Sequence, residues 1–222
     1  MLVDYYEVIL MDCTYKTNRY KMPLLIITGV TALNTTFYAA FCFMKGENYS
    51  DCTWVMQALK RLYDHLDLPY PETILSDGDK ALTPALRRVF SDSEYRVNHA
   101  LCVWHMNNNI TTNCKKLFST NELYDEFMKG WKTLRMAETP ALLNERYNAF
   151  YYIYLDVDVR ICMYIEEHIW PSRTRWAKCH TDKFLHFGNT FTSRSEDAHH
   201  QVKQELQFFI GESFAQSSVN CF

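Results

Sequence analysis

The hydrophobic rhythm of the chain changes once, and the change divides it. Early on, short apolar runs rich in β-branched and aromatic residues, Tyr5 to Met11, Leu24 to Val30 and Thr36 to Met44, are separated by polar turn chemistry at Thr17-Asn18 and Leu33-Asn34-Thr35. Such runs with short polar links predict three neighbouring strands in an antiparallel meander. From Ser50 to His65 the period lengthens. Trp54, Val55, Ala58, Leu59 and Leu62 recur at helical spacing, with Lys60, Arg61 and Asp64 on the other side, which predicts an amphipathic helix that Pro69 and Pro71 stop. Thr73 to Ser76 reads as a fourth strand, Asp79 as the cap of a helix from Lys80 to Phe90, and Tyr95 to Val103 as a fifth strand.

Beyond His105 the pattern is helical, with helices predicted over Glu122 to Leu134, Pro140 to Tyr151 and Val159 to His168, and Pro171 following. A meander, then strand and helix in alternation, then a helical block predicts an α/β core interrupted by an all-helical insertion. Internal repeats are absent, and composition breaks at the polar, Arg-containing stretch from Pro171 to Arg175.

Composition narrows the function classes. A chain of 222 residues with 48% hydrophobic and 15% aromatic content buries a core and is excluded from the disordered and low-complexity classes. The longest apolar stretch, around Pro23 to Val30, is far too short for a bilayer, and the N-terminus lacks the order of a secretion signal, so a soluble intracellular protein with no membrane partner is expected. Eight scattered cysteines without CxxC pairs read as reduced core residues. A net charge of −3 gives no global attraction to nucleic acid, so any DNA contact rests on local patches.

Against that background, three acids stand out: Asp12 in VILMDCTYKTN, Asp77 in TILSDGDKAL and Glu196 in TSRSEDAHHQVK. The two aspartates close apolar runs, where an uncompensated carboxylate is costly, and a divalent cation is the compensation that suits gathered carboxylates. Asp79 is the rival of Asp77 as a ligand. For either aspartate alone, capping the turn before the Lys80 helix is the plainer role. A glutamate on an amphipathic helix is ordinarily solvated.

The ordered segments Asp12-Cys13-Thr14-Tyr15-Lys16-Thr17-Asn18 with Pro23-Leu24-Leu25, Ser76-Asp77-Gly78-Asp79-Lys80-Ala81-Leu82, and Cys102-Val103-Trp104-His105 closely resemble successive motifs of the Mutator-like (MULE) transposase domain. The same domain occurs in plant far-red-impaired-response-type transcription factors, which are domesticated relatives. The resemblance spans roughly Tyr5 to Leu206 and implies an RNase H-like fold with an Asp-Asp-Glu triad. It implies a core over residues 1–112, a helical insertion over 113–188 and a C-terminal helix over 189–222 that completes the core. Asp12, Asp77 and Glu196 match the three catalytic and metal-binding acids, and Cys102 and His105 match the C-x-x-H signature. Neither the preceding zinc-finger module nor the following SWIM-like finger of the family is found, so a catalytic core or a fragment is expected.

Phosphodiester cleavage needs an activated water or 3′-hydroxyl in line with the leaving oxygen, and two divalent ions about 3.5–4 Å apart stabilise both charges. Two Mg²⁺ or Mn²⁺ ions are expected, with Asp12 bridging both, Asp77 completing one and Glu196 the other. His99, Cys102 and His105 have suggestive spacing for zinc but lack a second ligand pair, so a structural role is expected. His199 and His200 beside Glu196 read as exposed or supporting rather than as ligands.

Ser172 to Lys203 holds six cations, Arg173, Arg175, Lys178, Lys183, Arg194 and Lys203, against three acids, with Trp170, Trp176, Phe184 and Phe187 interleaved or adjacent. Cations beside aromatics grip phosphates and stack on unpaired bases. A solvated basic face is the alternative. The implied function is metal-dependent strand cleavage and transfer at transposon ends by a nuclear, oligomeric DDE transposase. An inactive domesticated DNA-binding regulator and a nuclease of the same fold are the alternatives.

Overall fold

The computed structural model describes residues 1–14, 20, 22–33, 35–90 and 97–188. Five strands, β1 (Val8–Thr14), β2 (Leu24–Val30), β3 (Thr36–Phe43), β4 (Thr73–Ser76) and β5 (Asn98–Leu101), form a mixed sheet in the order β3-β2-β1-β4-β5. β1 pairs antiparallel with β2, and β2 antiparallel with β3 through an irregularity between Ile27 and Thr28. β1 pairs parallel with β4, in the register Val8↔Thr73, Ile9↔Ile74 and Leu10↔Leu75. An antiparallel meander joined through its first strand to a parallel one is the RNase H-like arrangement expected from the motifs.

The first compact unit comprises, among the described residues, Met1–Val97. Helices α1 (Tyr49–His65) and α2 (Leu82–Phe90) cover one face of its sheet. The alternate positions Ile9, Met11, Leu25 and Ile27, with Ile74, pack there against Val55, Met56, Leu59 and Tyr63 of α1 and Leu82, Leu86 and Phe90 of α2. Tyr63 is fully buried, and its hydroxyl donates to the Tyr6 carbonyl at 2.9 Å, satisfying the one polar atom it carries into the core. Gly29 of β2 faces Phe37 of β3 in register, and a Cβ there would lie 2.2 Å from the ring's Cζ, so glycine makes room for the aromatic.

The second unit falls within Asn98–Phe191 and is helical after β5. It holds α3 (Val103–Cys114), α4 (Asn121–Arg135), α5 (Pro140–Leu155), α6 (Val159–Tyr164) and α7 (Lys178–Thr181). Short 3-10 turns lie at Lys115–Leu117 and Trp170–Arg175, and a π turn at Ile165–Ile169. Thr120, Thr139 and Asp158 cap α4, α5 and α6 by accepting amides of the first turn. The core is aromatic. Trp131 lies 5.0 Å from Trp176 and 6.1 Å from Phe150, ring centre to ring centre, and its indole N–H donates to Asn107 Oδ1 at 3.1 Å. Among the described residues no helix is long and apolar enough to cross a membrane.

Two expectations need correcting. The first strand lies at Val8–Thr14 rather than Tyr5 to Met11, because β2 pairs with it residue by residue through Thr14, so Asp12 sits inside the strand opposite Ile26. The fifth strand ends at Leu101, and Val103 already belongs to α3, whose buried positions Val103, Met106 and Ile110 follow helical spacing.

Candidate active site

The site is built where β4 turns into α2. Ser76 ends the strand, and Gly78 takes φ 82°, a left-handed conformation that costs glycine little. Within the turn the Gly78 amide donates to Ser76 Oγ at 3.1 Å, and the Asp79 amide donates to Asp77 Oδ1 at 3.0 Å. Asp79 Oδ1 accepts the amides of Ala81 at 2.7 Å and Leu82 at 2.9 Å, satisfying donors that open the helix. The motif thus assigns its two aspartates different work: Asp79 caps α2, and Asp77 stands at the end of β4.

A small, half-open pocket of about 20 Å³, room for roughly one water molecule, is lined by Asp12, Glu47, Asp77 and Asp79, by Cys13 and Cys52, and by the apolar Met11, Leu25, Met44 and Leu82. Asp12 is buried, and Asp77, Asp79 and Glu47 are half-buried. Glu47 comes from the loop between β3 and α1. Asn48 Oδ1 accepts the Asp51 amide at 3.0 Å to cap α1, while Asp51 Oδ2 accepts the Gly46 amide and the Asn48 side-chain amide, both at 2.8 Å. This reciprocal cap fixes the residues on either side of Glu47.

The electrostatics are those of crowded acids. Burial pushes the Glu47 carboxyl above the usual carboxylate range, and the charges of Asp79 and Asp77 push it further, opposed by a hydrogen bond from the Cys13 thiol. Cys13 is itself pushed far up, by burial first and then by that hydrogen bond and the charges of Glu47, Asp77 and Asp12. Cys52 is raised to about 11, by burial first and then mainly by Asp79 and Glu47. Both sulfurs therefore stay protonated, and the pocket presents oxygen donors, the kind that suits Mg²⁺ or Mn²⁺. Among the described residues no group of three or more His, Cys, Asp or Glu is gathered closely enough to hold a metal ion.

The remaining sequence candidates are placed as follows. Glu196, Arg194, Lys203, His199 and His200 lie outside the described residues. Cys102 is buried at the N-cap of α3, where its carbonyl accepts the Met106 amide at 3.1 Å. His105 stands edge-on to Trp104, and His99 Nδ1 lies 3.3 Å from Arg175 Nη1. The Arg173 guanidinium lies 5.1 Å from the Trp170 ring centre, and Trp170 stacks on Tyr147 at 3.7 Å. Lys178 is ion-paired with Asp182 at 2.5 Å. Sequence reading singled out neither Glu47 nor Cys13 as a pocket residue. The usable signal was Asn48-x-x-Asp51, a helix-start pattern that fixes the position just before it.

Residues 8–109 match the family model described as the MULE transposase domain. Among curated proteins the chain is 27% identical over 238 aligned positions to the PKS-NRPS hybrid synthetase cheA of Chaetomium globosum, covering 97% of this chain and 5% of that protein. It is 25% identical over 136 positions to Protein FAR1-RELATED SEQUENCE 6 of Arabidopsis thaliana, covering 61% of this chain and 18% of that protein. With Protein FAR1-RELATED SEQUENCE 5 of the same plant the identity is 26% over 101 positions, covering 45% and 12%. The chain thus spans a small part of the length of the curated relatives it matches. Among solved structures, the HTLV-2 integrase catalytic core domain in complex with magnesium, in dimeric form, aligns with a TM-score of 0.30 and 17% identity over 50% of this chain and 70% of that one. The matched span, residues 8–109, holds Asp12, Asp77, Cys102 and His105, so the similarity to the MULE transposase domain covers both aspartates and the C-x-x-H signature.

Proposed function

We propose that this chain carries the catalytic core of a DDE-type, Mutator-like DNA transposase, which cuts and joins DNA strands at transposon ends. The family match supports a transposase-type function. The observation that carries the finer reading is that Asp12 and Asp77, from separate segments of the matched span, line one pocket.

In this reading Asp12, Asp77 and Glu196 hold two Mg²⁺ or Mn²⁺ ions, whose chemistry is to lower the pKa of the attacking hydroxyl or water and to stabilise the leaving oxygen. Asp12, fixed within β1, supplies the inner carboxylate. Asp77 supplies the second from a turn that the Asp79 cap and Gly78 hold in shape. Arg173, Arg175, Lys178, Arg194 and Lys203 grip DNA phosphates, and the protein works as an oligomer in the nucleus.

Nicking of supercoiled DNA in the presence of Mg²⁺ tests this. Asp12→Asn, Asp77→Asn and Glu196→Gln should each abolish nicking while leaving the circular dichroism spectrum unchanged. Retained nicking by Asp12→Asn overturns the assignment. A second reading, a domesticated DNA-binding regulator, is favoured by the two plant relatives. It requires salt-sensitive DNA binding without metal-dependent cleavage by the wild-type chain.

A further inference from the structure

The acidic pocket contains a carboxylate that the Asp-Asp-Glu reading does not use. Glu47 reaches it from a loop of its own, and two independent devices hold it there. The Asn48–Asp51 reciprocal cap fixes the backbone on both sides of it, and the Cys13 thiol, one residue beyond Asp12 on β1, donates to its carboxylate. A solvated surface glutamate needs neither restraint.

We propose that Glu47 is a positioning residue of this pocket: it places negative charge beside Asp77 and thereby strengthens binding of the divalent cation there, without being one of that cation's ligands. The proposal rests on the transposase reading above. Asp77, Asp79 and Glu47 line the same pocket, and Asp79 is engaged with the helix amides, so Glu47 is the neighbour whose charge is held for the pocket rather than for the fold. A unit charge about 6 Å from a dication, screened as in bulk water, changes its affinity roughly tenfold, so removing the Glu47 charge should weaken binding by about that factor. Because Glu47 acts on occupancy alone, the turnover of the metal-loaded protein stays unchanged.

The experiment is a Mn²⁺ titration followed by electron paramagnetic resonance, with nicking rate measured across the same metal concentrations. It compares the wild type with Glu47→Gln, Glu47→Asp, Cys13→Ala and Asp12→Asn. Glu47→Gln is expected to shift the Mn²⁺ midpoint upward roughly tenfold and to reach the wild-type rate at saturating metal. Glu47→Asp, which keeps the charge, should recover most of the affinity, and Cys13→Ala should shift the midpoint in the same direction as Glu47→Gln by a smaller factor. An unchanged midpoint in Glu47→Gln overturns the proposal and leaves the transposase reading standing. So does a lower rate at saturating metal, which would place Glu47 in the chemistry itself. If the wild type binds no Mn²⁺, or Asp12→Asn binds it equally well, the transposase reading fails and this inference fails with it.

Discussion

Asp12, inside β1, and Asp77, just past the end of β4, each lie two residues beyond the paired Leu10 and Leu75 of these parallel strands. This offset places two acids that are 65 positions apart in the sequence on the lining of one pocket. Asp79, two residues further, is drawn away into capping α2. The motif's two acids therefore separate by mutation. Asp77→Asn should lose metal-dependent nicking with little change in stability. Asp79→Asn, whose amide oxygen still caps, should unfold in urea close to the wild type, and Asp79→Ala should lose about 1 kcal/mol.

The contact between Gly29 and Phe37 makes a second prediction. A methyl group at position 29 meets the Phe37 ring at distances that close packing forbids. Gly29→Ala should destabilise the protein by about 1–3 kcal/mol in urea unfolding, through displacement of that ring. Adding Phe37→Leu, which shortens the side chain, should recover part of the loss. If the double variant is less stable than Gly29→Ala by the full cost of the Phe37 change alone, the two positions are not coupled as the register places them.

Asp158 carries a pH dependence. Hydrogen bonds from the Arg160 guanidinium, at 2.6 Å from Nη2, and from the Arg160 amide hold its carboxyl at about 2, below the ordinary 3.8. A depressed folded-state pKa means the contribution is complete above about 3.8 and is lost as pH falls through about 2. The Arg160 side chain of the pair is mostly exposed, so salt should screen the effect. Asp158→Asn keeps the helix cap and removes the charge. Its melting temperature should fall below the wild type's at pH 5, and the gap should close near pH 2. A gap independent of pH would show that the ion pair contributes nothing.

Much of this architecture was legible in the sequence, and the exceptions have physical causes. Leu24–Val30 and Thr73–Ser76 coincide with β2 and β4, and the helix expected from Ser50 begins one residue earlier, at Tyr49. These segments carry their own punctuation: a continuous apolar run, a cap, a proline. β1 carries less, because its last residues, Asp12, Cys13 and Thr14, are polar or small and become strand only by pairing with β2. The run Ala100-Leu101-Cys102-Val103 is apolar throughout, so neither period marks the switch from β5 to α3 within it. Motif order pointed to Asp12 and Asp77. Glu47 escaped because a single glutamate after Lys45-Gly46 looks like any loop acid until the fold brings it against Cys13.

The central claim is that a divalent cation is held jointly by the segments around positions 12, 77 and 196. Iron-directed cleavage of the polypeptide tests it most directly: Fe²⁺ replaces Mg²⁺, and ascorbate with peroxide then cuts the chain beside the bound metal. The account predicts fragments ending near Asp12, Asp77 and Glu196 that excess Mg²⁺ suppresses and that Asp12→Asn abolishes. Cleavage at positions 12 and 77 with none near 196, or cutting that Mg²⁺ does not compete away, would contradict it.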